Sequence, residues 1–389
     1  MNKKILYVGG FELPDKNAAA HRVIANGKIF NKLGYEVDFL GITQNNKVDE
    51  FWKCKGKYQG FNYWTIPYPT NNSDWLNYVT SIKKLKKIIK KNNKKYSHII
   101  IYNFPAIASI KLINYCKKKD IKLIADCTEW YGLNRYNLRR ILKFLDSELR
   151  MRLINKKVDG VICISGFLAD YYDNITNKII LPPLVDTNNK KWNINVNNNN
   201  NKLSFIYAGS PGSNKDRINL VIESLINVYN KKSNIEFNLV GLDENEYLEI
   251  YPEHKTEIKD IKKFTNFYGR ISHEKVITLT KKSDFTIFFR EKNKANMAGF
   301  PTKFVESFTC GTPVITNKTS DLKKYLKEGK NGFWIDVSNK KKINKKLLKI
   351  TNLSSEKIEF MSNYTKGNNY FDYKNKVNLL EKFLNQISN

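Results

Sequence analysis

A glutamate that follows a Gly-Phe-Pro turn is the first candidate for chemistry in this sequence. Glu306 lies in the segment AGFPTKFVESFTCGTPVI, from Ala298 to Ile315, whose turn opens a short helix before a strand. Phe304 and Phe308 are four residues apart and pack on one helix face, whereas Glu306 lies about 200° around the helix from Phe304. A carboxylate in the first turns of such a helix suits hydrogen bonds to vicinal ribose hydroxyls, and Lys303 beside it suits a phosphate.

A capping role is the simpler alternative for Glu306. A capping box requires a Glu three residues after the N-cap residue. With Thr302 or Phe300 as the N-cap, that position holds Val305 or Lys303. The spacing therefore weakens the capping interpretation and favours ligand binding over a plain surface glutamate.

A second turn with binding potential runs from Gly209 to Asp216 and has the sequence GSPGSNKD. Its small residues let backbone N–H groups approach a ligand, the helix that follows adds partial positive charge, and Lys215 adds a full charge. These features predict a cradle for a diphosphate. An ordinary strand-to-helix turn, capped by Asn214 or Asp216, is an equally good interpretation.

An alternation of strands and helices runs along almost the whole chain and predicts α/β domains with parallel sheets. In the first half, a helix over Ala19–Leu33 is closed by Gly34, and the predicted strands are Ile5–Gly9, Tyr35–Ile42, His98–Tyr102, Ile121–Asp126 and Val158–Ile164. In the second half, the predicted strands are Leu203–Gly209, Ile235–Gly241, Phe264–Gly269, Asp284–Phe289, Pro313–Thr316 and Gly332–Asp336. A last helix is predicted over Phe371–Ser388.

The length of 389 residues favours two domains over one core. The polar, low-complexity stretch Asn189–Lys202 has almost nothing to bury and marks a linker. We predict a first domain over residues 1–186, an Asn-rich linker over 187–202, a second domain over 203–370, and a C-terminal helix over 371–389 that packs back on the first domain. Two doubly wound sheets that face each other place ligands in the cleft beyond the C-terminal ends of their strands.

The net charge of +30, from 67 Lys and Arg against 37 Asp and Glu, is the unusual feature of the composition. One interpretation is a codon bias toward Lys and Asn that places lysines on a solvated surface. A second is attraction to a membrane or to a lipid-phosphate acceptor. A third, nucleic acid binding, lacks an accompanying helix-turn-helix, zinc-finger or RNP-type motif. A mixture of the first two is favoured.

The stretch Ser81–Lys95 predicts an amphipathic helix with a strongly basic outer face. Apolar residues recur at helical spacing, at Ile82, Leu85, Ile88 and Ile89. The solvated face of a helix packed on its sheet is one interpretation. A membrane-surface contact, joined by the basic stretch Arg135–Arg152, is the other.

The five cysteines and four histidines show no metal-ligand spacing. An odd number of scattered thiols indicates reduced cysteines in a cytoplasmic protein. No stretch reaches the length of a membrane span, and the apolar N-terminal stretch is too short for a signal peptide. We therefore expect a cytoplasmic protein, soluble or peripheral at the inner face of the cell membrane, without an obligatory metal or cofactor.

The segment from Phe300 to Ile315, together with Gly209–Lys215, resembles the donor-binding half of retaining glycosyltransferases of family four, which have the GT-B fold. The resemblance extends through most of the chain, with short matches at Val161–Ser165, Pro182–Asp186 and Gly329–Phe333. It implies two facing Rossmann-like domains. It also implies transfer of a sugar from a nucleoside diphosphate sugar to an acceptor hydroxyl, with no metal strictly needed.

The resemblance implies roles for individual residues as well. Family members use a glutamate at the position of Glu306 to hold the nucleotide ribose. They use a basic residue at the position of Lys215 to neutralise the diphosphate, whose charge grows as the glycosidic bond breaks. The donor-binding residues that follow from these segments and their surroundings are Gly209, Ser210, Gly212, Lys215, Arg290, Gly299, Phe300, Pro301, Thr302, Lys303 and Glu306.

The sequence departs from the family pattern at three places. Ala298 stands eight residues before the ribose glutamate, where the family commonly has another Glu near the donor sugar. Ser210 stands where an Arg commonly accompanies the cradle lysine, and Arg290 or Lys303 is the candidate for supplying the missing charge. The Gly-rich acceptor loop is replaced by the residues of Asn17–Arg22.

The acceptor side is carried by the loop Asp126–Tyr131, at the C-terminal end of a predicted strand. Glu129 is a candidate for binding a sugar or for assisting the acceptor hydroxyl as a base, and Trp130 for stacking on a sugar ring. A polar loop with a core aromatic is an equally good interpretation. His21 and Arg22 complete the acceptor-side candidates, together with Asp126 itself.

The function predicted from these residues is glycosyl transfer in surface polysaccharide or glycolipid assembly, with a glycan or lipid-linked acceptor. Two rivals are kept. Ala298 and Ser210 favour a catalytically inactive nucleotide-binding scaffold, whereas the charge of +30 favours a basic nucleic-acid-binding protein. A GT-B epimerase is a third alternative within the enzyme class.

Overall fold

The computed structural model describes residues 3–44, 50–132, 138–173, 177–194, 196, 202–211 and 215–388. The chain divides into two compact units. Unit 1 comprises Met1–Asp186, Met297–Phe300 and Asp372–Asn389, and unit 2 comprises Thr187–Asn296 and Pro301–Phe371. The last residues of the chain therefore complete the first unit.

Unit 1 contains, within the described residues, an eight-stranded sheet with the order β3-β4-β2-β1-β5-β6-β7-β8. Its strands are β1 (Lys4–Gly9), β2 (Glu36–Thr43), β3 (Gly56–Tyr58), β4 (Phe61–Pro67), β5 (His98–Tyr102), β6 (Lys122–Cys127), β7 (Gly160–Cys163) and β8 (Asn177–Ile180). Its first helices are α1 (Ala18–Lys32), α2 (Asn72–Thr80), α3 (Lys83–Lys91), α4 (Ala106–Lys118), α5 (Leu138–Leu149) and α6 (Gly166–Tyr171). Neighbouring strands pair in parallel except β3 and β4, which are antiparallel.

The central strands of unit 1 are apolar after their first residues because helices cover both faces of a parallel sheet. β1 (KILYVG) and β5 (HIIIY) are buried at every position. The strands predicted for the first half are confirmed, with ends that move by up to two residues, and β3, β4 and β8 are additional. The predicted basic helix is confirmed as α3, in which Leu85, Ile88 and Ile89 are buried and the lysines are exposed.

Unit 2 contains, among the residues described, a six-stranded parallel sheet with the order β11-β10-β9-β12-β13-β14. Its strands are β9 (Leu203–Ala208), β10 (Ile235–Val240), β11 (Thr265–Phe267), β12 (Phe285–Ile287), β13 (Val314–Thr316) and β14 (Gly332–Trp334). The helices from here on are α7 (Ile218–Tyr229), α8 (Glu244–Ile250), α9 (Ile258–Ile261), α10 (His273–Lys282), α11 (Lys294–Ala298), α12 (Thr302–Cys310), α13 (Lys340–Ile350), α14 (Ser355–Lys366) and α15 (Val377–Ser388). All six strands predicted for the second half are present.

The C-terminal helix α15 packs on the sheet of unit 1. Its buried residues Phe383 and Ile387 belong to the same apolar core as β1 and α1. A Cβ atom added at Gly160 in β7 would lie 2.4 Å from the Ile387 side chain, so the glycine makes room for the helix. A parallel bridge between Val185 and Asp372 begins this return.

The segment predicted as a polar linker has an anchored first part. A short 3-10 helix over Lys190–Asn193 buries Trp192 within unit 2, and Lys281 Nζ donates to the Trp192 carbonyl oxygen at 2.6 Å. The expectation that this stretch has almost nothing to bury is therefore wrong for its beginning. Over the residues described, no helix combines the length and the apolar character that crossing a membrane requires.

Candidate active site

A charged cluster at the C-terminal end of the unit 2 sheet is centred on Asp216. The residues that follow β9 and β12 bring Asp216 and Arg290 together as an antiparallel bridge. Arg290 Nε donates to Asp216 Oδ1 at 3.2 Å, and Lys303 Nζ, from the first turn of α12, donates to Oδ2. The Tyr207 hydroxyl donates to the same Oδ2 at 2.8 Å. These four residues form what we call the Asp216 cluster.

Burial and opposite charge act against each other in the Asp216 cluster. Burial raises the pKa of the Asp216 carboxyl, but Lys303 and Arg290 together outweigh it, and the pKa lies below its ordinary value. Burial, with a smaller effect of Arg290, holds the pKa of the Lys303 ammonium below its ordinary value although Asp216 raises it. The side chains of Asp216, Arg290 and Lys303 are 5%, 7% and 11% exposed, so water screens them little. Within these four residues, two cations face one carboxylate, and the Glu306 carboxylate outside the cluster also raises the pKa of Lys303.

Lys303 also connects the Gly-Phe-Pro corner to the turn after β9. Its Nζ lies 3.0 Å from the Tyr207 hydroxyl and 4.1 Å from the centre of that ring. A Cβ atom added at Gly209, whose φ is +141°, would lie 3.2 Å from Lys303 Cε. At Gly241 an added Cβ would lie only 2.4 Å from the Gly209 carbonyl oxygen. The two segments predicted to bind a ligand are therefore neighbours within unit 2.

The alternative role of Asp216 as a helix cap is wrong. In the described part of this turn, α7 begins at Ile218 with Arg217 as its N-cap residue and without a capping side chain. Arg290 and Lys303, the candidates for the missing charge, both bind Asp216. They can therefore act on a ligand only as members of the Asp216 cluster.

The turn that carries Lys215 is connected to the Asp216 cluster by a buried asparagine. Asn296 Nδ2 donates to the Lys215 carbonyl oxygen at 3.2 Å, and Asn296 Oδ1 accepts from Arg290 Nη2 at 2.7 Å. The residues Lys215 and Ser210 are exposed. Gly212 and Asn214 lie outside the described residues. Sequence reasoning missed Asn296 because a lone asparagine in the short helix α11 carries no recognisable spacing.

Glu306 is not a capping residue of the helix that carries it, as the sequence spacing indicated. α12 starts at Thr302 with Pro301 as its N-cap residue, so the position three residues after the cap is Phe304 and Glu306 takes no part in a capping box. The predicted aromatic pair is confirmed, since Phe304 and Phe308 stack with ring centres 4.2 Å apart. Glu306 is half-buried on another side of the helix.

The carboxylate of Glu306 contacts a histidine to which the sequence assigned no leading role. His273 Nε2 lies 3.0 Å from Glu306 Oε1, and Lys191 Nζ lies 3.2 Å from His273 Nδ1. His273 is the first residue of α10 and precedes Glu306 by 33 positions. No local pattern in the sequence links the two, because their proximity arises only when α10 packs beside α12.

The residues just before α12 are grouped with unit 1. Ala298, at the usual position of a family glutamate, is fully buried, and its carbonyl oxygen accepts a hydrogen bond from Ser165 Oγ at 2.7 Å. Gly299 is half-buried and Phe300 is buried. The donor-binding predictions for Gly209, Pro301, Thr302, Lys303 and Glu306 concern unit 2, whereas those for Gly299 and Phe300 concern unit 1.

The predicted acceptor-side pair Arg22 and Asp126 forms a buried ion pair inside unit 1. Arg22 Nη2 and Nε donate to Asp126 Oδ1 at 2.7 and 3.1 Å, and Arg22 Nη1 donates to the Leu181 carbonyl oxygen at 2.9 Å. The Tyr7 hydroxyl donates to Asp126 Oδ2 at 2.5 Å. These contacts correct the prediction, because they assign Arg22 and Asp126 to the packing of unit 1 and leave them no surface for an acceptor.

The predicted stacking residue Trp130 is likewise a core residue. It is buried, its Nε1 donates to Glu148 Oε1 at 2.5 Å, and its ring lies 4.6 Å from that of Tyr171. This corrects the expectation that Trp130 stacks on a sugar. The half-buried Glu129 lies beside Tyr131, where burial first and the Glu129 carboxylate second raise the pKa of the phenol.

The last acceptor-side candidate, His21, is half-buried in α1. Its Nε2 contacts the Asp15 carboxylate within unit 1. This contact neither supports nor opposes binding of an acceptor, so the role of His21 stays a prediction.

Residues 188–367 match the protein family described as glycosyl transferases group 1. That segment contains the Asp216 cluster and Glu306. The chain is a glycosyltransferase whose second half carries the segment that matches this family. No curated protein matches its sequence.

Solved structures show the fold of this glycosyltransferase. Sucrose-phosphate synthase from Thermosynechococcus elongatus is similar with a TM-score of 0.70 and 12% identity, over 99% of each chain. HepE from Anabaena, in complex with UDP and glucose, has a TM-score of 0.68 and 12% identity over 98% of this chain and 99% of that one. The pneumococcal O-GlcNAc transferase GtfA, in complex with UDP and GlcNAc, has a TM-score of 0.66 and 11% identity over 100% and 99%. The chain thus has a GT-B fold of two Rossmann-like domains.

Proposed function

We propose that this glycosyltransferase takes its sugar from a nucleoside diphosphate sugar that binds to unit 2. The observation that carries the proposal is the surplus positive charge of the Asp216 cluster, which lies beside Gly209 and one helical turn from Glu306. A diphosphate supplies the negative charge that balances it. HepE and GtfA, which were solved with UDP, support this class of donor.

Each part of such a donor has a partner of matching chemistry in unit 2. Glu306 accepts hydrogen bonds from the ribose hydroxyls. The exposed Lys215 and the Asp216 cluster stabilise the diphosphate as charge develops on it during bond cleavage. Gly209 lets the backbone approach the phosphate oxygens.

In this proposal, protein cations hold the leaving group without an obligatory divalent ion, and the anomeric configuration of the sugar is retained, as in the family that the sequence resembles. Turnover that persists in EDTA supports the first point, and loss of turnover that added Mg²⁺ restores would contradict it. Proton NMR of the first product formed gives the anomeric configuration, and an inverted product would contradict the second point.

The donor site is tested by measuring nucleotide affinity by calorimetry and thermal stabilisation with UDP, GDP, ADP and CDP. A ligand that binds the native state raises the melting temperature. We expect one of the four to bind, and Glu306→Ala to lose about tenfold or more in affinity while the fold is kept. Glu359→Ala, an exposed glutamate on α14, is the matched control. Wild-type affinity in Glu306→Ala would remove the assignment of this residue.

On the acceptor side, we propose a glycan or lipid-linked acceptor at the inner face of the cell membrane, where unit 1 makes a peripheral contact. The lysines of α3 are exposed on one face, and Lys87 Nζ lies 3.8 Å from the centre of the Trp52 ring. On α5, Leu142 and Leu145 are 57% and 55% exposed. Exposed basic residues and exposed apolar ones on the same unit suit the boundary of an anionic bilayer.

The membrane contact is tested by sedimentation with vesicles of phosphatidylglycerol and phosphatidylcholine. We expect binding to the anionic vesicles that falls with salt, and a marked loss in Lys83→Glu/Lys90→Glu on α3. Lys341→Glu/Lys345→Glu on α13 changes the charge equally and serves as the control. An equal loss of vesicle binding in both double variants would mean that binding depends on net charge and not on α3. No binding by the unaltered protein would end the proposal. Glu129 as an aid to the acceptor hydroxyl stays a prediction.

A further inference from the structure

A line of three polar side chains ends at the carboxylate of Glu306. Lys191 Nζ lies 3.2 Å from His273 Nδ1, and His273 Nε2 lies 3.0 Å from Glu306 Oε1. All three belong to unit 2, and His273 and Glu306 are half-buried. The line therefore runs from the segment that opens unit 2 to the residue assigned to the ribose.

The hydrogen-bonding chemistry of Lys191 and Glu306 determines the tautomer of the His273 ring between them. A lysine ammonium has donors and no acceptor, so Nδ1 of His273 must accept from Lys191. A neutral ring with an acceptor at Nδ1 carries its hydrogen on Nε2 and donates it to Glu306 Oε1. Lys191 thus selects the tautomer that holds the carboxylate.

The position of this ring is fixed from two directions. His273 is the first residue of α10, which Ser272 caps by accepting from the Lys275 N–H at 3.4 Å. The Trp192 ring meets the His273 ring edge-on at 6.3 Å. Lys281, further along α10, donates to the carbonyl oxygens of Trp192 and Ile194 at 2.6 and 2.9 Å. The segment that carries Lys191 is thereby fastened to the helix that carries His273.

We propose that His273 is a positioning residue for Glu306 in donor binding and that Lys191 sets its tautomer. The inference rests on the proposed role of Glu306 at the ribose. A carboxylate has about four lone-pair sites, and the bond from His273 uses one of them. Because this bond already orients the carboxylate, hydrogen bonds from two vicinal hydroxyls would cost less side-chain entropy on binding.

The test compares a ribonucleotide with its 2′-deoxy counterpart, for example UDP with 2′-deoxy-UDP, by calorimetry. We expect the unaltered protein to prefer the ribonucleotide by about tenfold or more, and Glu306→Ala to erase the preference. His273→Ala should reduce the preference several-fold. His273→Gln should restore most of it, because its Nε2 amide can donate from the same place. Lys191→Met should act like a weaker His273→Ala, with the exposed Lys190→Met as its control.

Kinetics separate positioning from a merely structural role. The ribose is remote from the bond that breaks, so His273→Ala should raise the donor KM and leave kcat nearly unchanged. A fall in kcat with unchanged KM and an unchanged ribose preference would overturn the inference. If the unaltered protein shows no preference for the ribonucleotide, the role of Glu306 itself fails. If Glu306→Ala erases the preference and His273→Ala keeps it in full, only the role of His273 fails.

Discussion

Each unit of this glycosyltransferase buries an arginine–aspartate pair near the C-terminal end of its sheet, and the two pairs differ in charge balance. In unit 1, Arg22 and Asp126 match one cation to one carboxylate, and three arginine nitrogens are engaged. In unit 2, Asp216 receives both Arg290 and Lys303. A balanced pair is complete in itself, whereas the unbalanced one can still stabilise an anion.

The comparison teaches that residue type does not separate a site from a scaffold. Both aspartates follow or end a strand at the sheet edge where ligands of doubly wound folds bind, but the sequence made only Asp126 a candidate for a role near the substrate and offered Asp216 as a helix cap. Burying a charge is costly unless an opposite charge in the protein balances it. Whether the protein itself supplies that balance is therefore the criterion that separates a structural pair from a ligand site. By that criterion the Arg22–Asp126 pair stabilises unit 1, whereas the Asp216 cluster fits the ligand role proposed for it.

The largest effect is expected from breaking the balanced pair. Arg22→Ala leaves Asp126 buried without its cation, and removing one partner of a buried pair destabilises a protein by about 3–5 kcal/mol. Urea unfolding measures the change. Arg152→Ala, which breaks an exposed pair with Glu148, should change the free energy of unfolding by only about 0.2–1 kcal/mol. Equal effects of the two variants would contradict the structural role of Arg22.

Acid should affect the two units in different pH ranges. Burial lowers the pKa of His98 in β5 to about 4, so the folded protein stays neutral there while the unfolded chain takes up a proton near pH 6.5. Stability should therefore fall by about 3 kcal/mol as the pH drops from about 6.5 to 4. Asp216 has a lowered pKa in the folded protein, so its contribution to the free energy of unfolding is lost only below about pH 4, where the unfolded chain takes up a proton at this carboxyl.

Free energies of unfolding measured between pH 7 and 4 test whether stability is lost in the range assigned to His98. His98→Asn cannot take up the proton and should flatten the decline in that interval. The same decline in His98→Asn would place its cause elsewhere in the molecule.

Removing the surplus charge should weaken binding of the donor while Asp216 keeps its ion pair with Arg290. Lys303→Met leaves Asp216 with Arg290 and takes away a charge-assisted contact, so the affinity for the nucleoside diphosphate selected above should fall by about 10- to 100-fold. Calorimetry with the diphosphate and the matching nucleoside locates the loss in the phosphates. Lys345→Met on α13 is the charge-matched control. An equal loss for the nucleoside would contradict the electrostatic explanation.

The sequence predicted what depends on local periodicity. Buried parallel strands such as β5 are continuous apolar runs, and the helical spacing that pairs Phe304 with Phe308 also places Glu306 on another side of α12. The strands β4 and β8 were missed because each mixes polar residues with a few apolar ones. A low-complexity composition likewise concealed the buried anchor Trp192.

The unpredicted part of the site depends on which strands become neighbours. Asp216 and Arg290 are 74 residues apart and meet because β9 and β12 are adjacent in the sheet. The contact between His273 and Glu306 depends in the same way on the packing of α10 beside α12. Nothing in either local sequence encodes such a pairing, so a residue list could name Arg290, Lys303 and Glu306 without showing that Asp216 and His273 hold them.

The smallest effect, and the sharpest comparison of charge balance, is expected from Ser210→Arg. Ser210 is exposed at the turn where the resembled family commonly has an arginine. If the Asp216 cluster already supplies that charge, Ser210→Arg should raise diphosphate affinity by no more than about threefold, because a further exposed cation is screened by water. In the Lys303→Met background the same change should recover a larger part of the lost affinity. A double-mutant cycle measured by calorimetry gives the coupling between the two positions. Equal gains in both backgrounds would mean that the turn and the cluster act independently, and the surplus charge would then not be what distinguishes unit 2 from unit 1.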